Sequence, residues 1–237
     1  MKPLYIIGAG GFGREVAWLV ERINAVSQTW DFKGFLDGNS SLWNTVVNGY
    51  KVHGGHDVLE QSKDDVWCVM AVGNAAIRKR GIERLQSFSH IHFAVLIDPA
   101  VEMSESVSVG DGSIICVGTI ITVNVNIGKH NIINLDCTIG HDAILGDFVT
   151  LYPSVNVSGA VTVGNITEFG TGSQVIQGIS IGSGVIVGAG AVVIRDIESD
   201  VTVVGSPAKI INHHGDPSGG ISEKCRYTSE EKRINNQ

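Results

Sequence analysis

The sequence predicts an α/β domain over residues 1–95 followed by a parallel β solenoid over residues 96–210. Three observations carry this: a six-residue apolar period in the second half, a composition of 30 glycines with only 6% aromatic residues, and a strand, Gly-rich turn and helix at the start. A chain of 237 residues with that many glycines must turn often and pack small aliphatic side chains, which points to repeated β structure rather than to helical bundles.

The α/β part reads in order. Leu4 to Ile7 is a short apolar strand, Gly8-Ala9-Gly10-Gly11-Phe12-Gly13 is a GxGxxG turn, and Arg14 to Ile23 places Val16, Leu19, Val20 and Ile23 on one helical face. Phe32 to Leu36 is a second strand ending at Asp37. Val66 to Val72 is a third, running through Gly73-Asn74 into a helix from Ala75 to Leu85, and His92 to Leu96 is a fourth. This alternation describes a small three-layer Rossmann-like domain with a parallel sheet.

The period begins at Ile97. Every sixth residue through Met103, Val109, Ile115, Ile121, Ile127, Ile133, Ile139, Leu145, Leu151, Val157, Val163, Phe169, Val175, Ile181 and Val187 to Val193 is apolar. Glycine recurs directly after these residues, as at Gly110, Gly128, Gly140, Gly146, Gly164, Gly170, Gly182 and Gly188. An inward aliphatic residue followed by a turn-permissive one describes a short strand and a corner. Three such hexads close a triangular coil of roughly 18 residues, stacked at strand spacing of roughly 4.8 Å. No hexad carries an insertion. Val203 to Lys209 breaks the period, and residues 211–237 read as a polar tail, loosely packed or briefly helical.

Charge and cysteine usage narrow the function. Lys plus Arg number 17 against 24 Asp plus Glu, a net charge of −7, so binding nucleic acid through a broadly basic surface is not expected. Met1 to Ile7 is too short for a secretory h-region, and the uncharged run from Phe169 to Ile194 is interrupted by glycines, serines and glutamines, so neither export nor membrane insertion is expected. Cys68, Cys116, Cys137 and Cys225 lack metal-ligand spacing. Reduced, mostly buried thiols in a cytoplasmic protein are the expectation.

Two motifs bear chemistry. The GxGxxG turn frees backbone N–H groups at a helix N-terminus, which suits a diphosphate; a nicotinamide dinucleotide, a nucleotide sugar and a purely structural turn are all compatible with it. His141 stands outward beside Gly140 and is followed by Asp142, a pairing in which the carboxylate holds one ring nitrogen protonated and frees the other as a general base. An exposed solenoid histidine is otherwise an ordinary surface residue. One coil further on the same corner is Gly159, whose bare backbone suits close approach of a thioester. His213-His214 reads as a solvated pair rather than a metal site. The four tryptophans read as core or interface packing residues, Lys209 as a partner for a phosphate, and Arg195 as either such a partner or half of an exposed salt bridge.

The whole layout resembles the hexapeptide-repeat acetyltransferases that modify bacterial surface sugars, among them UDP-4-amino-sugar N-acetyltransferases, GDP-perosamine N-acetyltransferases and sialic acid O-acetyltransferases. The resemblance rests on the Gly-rich head, the uninterrupted repeat, the Gly205-Ser206-Pro207-Ala208-Lys209 ending and above all Ile139-Gly140-His141-Asp142-Ala143-Ile144-Leu145-Gly146-Asp147-Phe148. It implies a left-handed parallel β-helix, acetyl-CoA as co-substrate without a metal, and a homotrimer with acetyl-CoA between neighbouring helices. It further implies His141 as base, Asp142 as its orienting carboxylate, Asn134 near the site, Gly159 at the thioester carbonyl, and Gly205 and Lys209 near the distal part of CoA. For a nucleotide-linked amino sugar it implies Gly8, Gly10, Gly11, Gly13, Asp37, Asn74 and Arg78. Some members of the group carry a second histidine where this chain has Thr150. An N-acetyltransferase is therefore expected, with sugar O-acetylation and a non-catalytic binding scaffold as the alternatives.

Overall fold

The structure, a computed structural model, describes residues 1–214. The head is a six-stranded sheet of β1 (Lys2–Ile7), β2 (Trp30–Leu36), β3 (Val46–Val47), β4 (Tyr50–Gly54), β5 (Val66–Met70) and β6 (Ile91–Phe93), in the order β3-β4-β2-β1-β5-β6. All pairings are parallel except β3 with β4. Alternation along β1 decides the layers. Leu4 and Ile6 pack with Val16, Leu19 and Val20 of α1 (Gly11–Val26), whereas Ile7 packs with Ile82 and Leu85 of α3 (Ala75–Leu85) on the other face.

The elements between Asp37 and Val66 are absent from the sequence reading. There β3 and β4 form a hairpin closed by Asn48 and Gly49, both at positive φ, and α2 (Asp57–Glu60) follows. A two-residue strand is too short to announce itself by alternation, although the Asn-Gly pair is a hairpin signal.

From Leu96 the chain winds as a left-handed β-helix with three faces. The first face pairs Leu96, Ile114, Ile132 and Thr150 in register, the second Glu102, Ile120, Thr138 and Asn156, and the third Ser108, Asn126, Ile144 and Thr162. Each coil is 18 residues, and every periodic residue from Ile115 onward is buried in one continuous core. At each corner from Gly112 to Gly190 one residue takes a left-handed conformation; Asn124, His130, Asp136, Asp142 and Phe148 do so at φ from 56 to 60°. The last coil is shorter: Ile181 faces Ile197 and Val187 faces Val203. A strand at Lys209–His213 then runs antiparallel to Val201–Val204 and ends the first face. It takes in residues 211–213, which the sequence reading places in the tail; residues 215–237, with Cys225, lie outside the described residues.

The head sits on the first face. Leu96, Ile114 and Ile132 share a core with α1 and β1, and Arg22 of α1 binds the buried Asp98 through Nε and Nη2 at 2.6 and 3.0 Å. Among the described residues no helix is long and apolar enough to cross a membrane. Cys68, Cys116 and Cys137 are unbridged and buried, and burial pushes their thiols up to about 12, 12 and 11. Trp30 is buried, but Trp18 and Trp43 are exposed, so the core does not account for all four tryptophans.

Candidate active site

His141 and Asp142 occupy the corner between the second and third faces. The left-handed φ of 60° at Asp142 turns its side chain back toward its neighbour, so that His141 Nδ1 lies 2.8 Å from Asp142 Oδ2. The second carboxylate oxygen accepts from Asn124 Nδ2 at 3.2 Å, from one coil below. His141 and then Asn124 hold the Asp142 carboxyl below the usual carboxylate range. An ionised carboxylate only accepts, so Nδ1 carries a proton, and in the neutral ring Nε2 then keeps the lone pair. Both side chains are about half exposed. Asn124 was missed by sequence reasoning, although its offset of one full coil from Asp142 could have pointed to it.

One coil above, Gly159 is the floor on which the imidazole rests. A Cβ on Gly159 would lie 2.5 Å from His141 Nε2, so only glycine leaves the ring in place. Its carbonyl accepts from Gly178, while its own N–H has no acceptor among the described residues. Continuing up the same corner, the register brings Gln177 and then the exposed Arg195 above Gly159. Gly205 to Ala208 folds beside Val192 at the top of the second face, through Val192 N to Gly205 O at 3.0 Å and Ala208 N to Val192 O at 2.8 Å. Lys209, exposed, opens the terminal strand on the first face. Asn134 stands on the preceding corner, 8% exposed, with its side-chain oxygen accepting from the Leu135 amide.

The head presents a cleft of about 350 Å³ at the carboxyl ends of its strands, lined by Gly8, Asp37, His56, Val72, Ile77 and Arg80 among others. It lies beside the boundary between β1 and β5, where the strand order reverses and α/β sheets bind ligands. Gly13 allows α1 to close on β1, since a Cβ there would lie 1.9 Å from the Gly8 carbonyl. Gly10 precedes the helix with open space around it, and the Arg14 side chain reaches back to its carbonyl at 3.4 Å. Asp37 braces the turn: its carboxylate accepts from Ala9 N and Asn39 N, each at 2.8 Å. Arg14, His56 and Arg80 are additions to the sequence-derived set. Burial, then Arg84, lowers the pKa of His56.

Two residues assigned to the sugar are tied into the fold. Asn74 is exposed but caps α3, its Oδ1 accepting from Ile77 N at 2.9 Å. Arg78 is only 1% exposed and cannot reach a ligand. Its guanidinium donates to the carbonyls of Val72, Gly73, His130, Phe148 and Val149 and to Thr150 Oγ1. Burial lowers its pKa to about 10, with Glu168 and Tyr152 opposing the shift. Nothing in the local sequence separates an arginine on the cleft side of α3 from one on its coil side. Among the described residues no group of three His, Cys, Asp or Glu could hold a metal ion.

The cyclic order of the faces fixes one relation between cleft and histidine. The head covers the first face, and His141 stands on the corner between the other two. Within one chain they lie on opposite sides of the prism.

Residues 3–85 match the family described as PglD N-terminal domain. No curated protein sequence matches the chain. Among solved structures, the acetyltransferase domain of PglB from Neisseria gonorrhoeae FA1090 is 31% identical with a TM-score of 0.81, over 89% of this chain and 100% of that one. WeeI from Acinetobacter baumannii AYE is 30% identical with a TM-score of 0.81, over 89% and 100%. PerB from Caulobacter crescentus, in complex with CoA and GDP-perosamine, is 30% identical with a TM-score of 0.78, over 90% and 98%. Fold and site together define a β-helix acyltransferase with an α/β head. The chain belongs to the hexapeptide-repeat sugar N-acetyltransferases; of its relatives, the PglB acetyltransferase domain has been solved in complex with acetyl coenzyme A.

Proposed function

We propose that the chain N-acetylates a nucleotide-linked amino sugar, with His141 as general base. The observation that carries the proposal is the His141–Asp142 pair at 2.8 Å, with Nε2 beside a Gly159 amide that has no acceptor among the described residues. The neutral sugar amine attacks the thioester carbonyl carbon, and Nε2 takes the proton that the nitrogen sheds. The carbonyl oxygen gains the negative charge and accepts from Gly159 N–H. When the tetrahedral intermediate collapses, the C–S bond breaks, its electron pair leaves on sulfur, and the imidazolium returns its proton to the thiolate.

The head cleft suits the nucleotide: Gly10 to Gly13 and Arg14 offer N–H groups and a cation to the diphosphate, and Asp37 offers oxygens to a ribose hydroxyl. The PerB complex with CoA and GDP-perosamine supports a nucleotide-linked amino sugar as the acceptor. The corner column of Gly159, Gln177 and Arg195, with Gly205 and Lys209 at the upper end, suits acetyl-CoA.

The opposed placement of cleft and His141 supports a homotrimer in which one copy's head delivers the sugar to another copy's histidine. Exposed Ile120, Val123 and Ile144 flank the histidine corner, as a contact between copies requires. Mass spectrometry of UDP- and GDP-linked amino sugars incubated with protein and acetyl-CoA tests the function. A single acetyl gained on the amine is expected. Acetylation confined to free sugar hydroxyls, or no thiol release with any sugar, would sink it.

A further inference from the structure

We infer that Thr150 and Glu168, both on the β-helix, are positioning residues for the head's cleft, acting through the loop Gly73-Asn74-Ala75. This rests on the reading of the cleft as the nucleotide site.

The loop joins β5 to α3, and the residues on either side of it, Val72 and Ile77, line the cleft. Its polar backbone is turned toward the coils. Thr150 Oγ1 donates to Gly73 O at 2.8 Å and accepts from Arg78 Nη2 at 2.9 Å. Arg78 Nη1 binds Val72 O and Gly73 O at 2.7 and 2.9 Å, and its Nε binds His130 O at 2.8 Å. Glu168 Oε1 accepts from Ala75 N at 2.8 Å, at the N-terminus of α3, where a carboxylate is favoured. Tyr152 completes the cluster: its hydroxyl donates to Glu168 Oε2 at 3.3 Å and stands where a Gly73 side chain would be, 3.0 Å from the ideal Cβ.

Thr150 and Glu168 are direct partners on successive coils of the first face, so both anchors sit on one rigid ladder. The head has a second tie, Arg22 to Asp98, on its α1 side. Only residues 94 and 95 link β6 to the first coil strand, Leu96–Ile97. With the α1 side pinned by that ion pair, the α3-side cluster sets how the cleft wall stands against the coils. Thr150 and Arg78 are buried, Glu168 and Tyr152 are half-buried, and their bonds satisfy one another, which favours one arrangement over a sliding contact.

The test uses Thr150→Val and Glu168→Leu in the full chain, neither of which touches the coil core beneath. Each is expected to raise the KM for the nucleotide sugar, and the Kd for UDP or GDP, by about fivefold. The KM for acetyl-CoA should stay within about twofold, and Ala75 to Arg78 should exchange amide hydrogens faster. A purely structural role would lower thermal stability and leave the two KM values in their original ratio. Unchanged nucleotide affinity in both variants, with the unmodified protein binding normally, overturns this inference alone. An unmodified protein that binds neither nucleotide overturns the cleft assignment and this inference with it.

Discussion

The imidazole of His141 rests on the bare Cα of Gly159, one coil above it, so closely that a methyl group there would lie 2.5 Å from Nε2. Glycine at 159 is thus a condition of the base's position as well as a source of a free N–H. Gly159→Ala should fold, because the obstructing atoms belong to a side chain that can swing outward, and should lower kcat by about a hundredfold through displacement of the base. Steady-state kinetics beside a thermal melt check this. A variant with normal kcat would mean that the ring does not need this seat.

Removing the base itself should cost more. His141→Ala is expected to lower kcat by about 10²- to 10⁴-fold with little change in CoA affinity, and Asp142→Ala by less, since Asp142 orients the ring without taking the proton. Isothermal titration with CoA separates the two effects. Near-normal turnover by His141→Ala would return the residue to an ordinary place on the surface.

A site shared between copies predicts complementation. Gly10→Val, tolerated because Gly10 has open space around it, should lose nucleotide affinity yet keep CoA binding. Chains carrying Gly10→Val and chains carrying His141→Ala, each nearly inactive, should regain a substantial part of the activity when co-expressed. If every site were built within one chain, no mixture could recover any.

Stability should fall on acidification, and His130 gives the sign. Its ring is stacked on Phe148 at 5.0 Å and edge-on to Phe93, and burial, followed by the Arg78 charge, lowers its pKa to about 4. The unfolded chain takes up that proton near the ordinary value of about 6.5, so between roughly pH 6.5 and 4 it binds more protons than the folded one. The neutral ring's contribution is complete above that window and is lost as pH falls through it, at a cost of up to ~3 kcal/mol. His130→Phe keeps a ring and removes the titration. Its melting temperature should decline less steeply from pH 7 to 4.5 than that of the unmodified protein; equal slopes would contradict the assignment.

The repeat was legible because its physics is local and cumulative: each inward residue from Ile115 to Val193 obeys the same rule, and the rule itself fixes the coil length. His141, Asp142 and Gly159 could be related for the same reason, since a period of known length turns sequence distance into height. The head offered no such ruler. Which side of α3 Arg78 faces depends on where the domain docks, and a helix of 11 residues carries that information only in the partners it meets. His56 and Arg80 reach the cleft from separate elements, and nothing in their local sequence sets them apart.

The shortened final coil bears on a hazard of the architecture. A β-helix that ended on a full coil would leave rows of unpaired N–H and C=O groups in register with any other copy's first coil, a template for end-to-end growth into fibres. Here the corner between Val193 and Ile197 breaks the register, and Lys209–His213 lies antiparallel across the first face, with Lys209 and His213 exposed. A parallel newcomer finds neither the spacing nor the strand direction to join. Chains ending before residue 209 would present that edge, and should polymerise under conditions in which the complete protein stays in discrete assemblies.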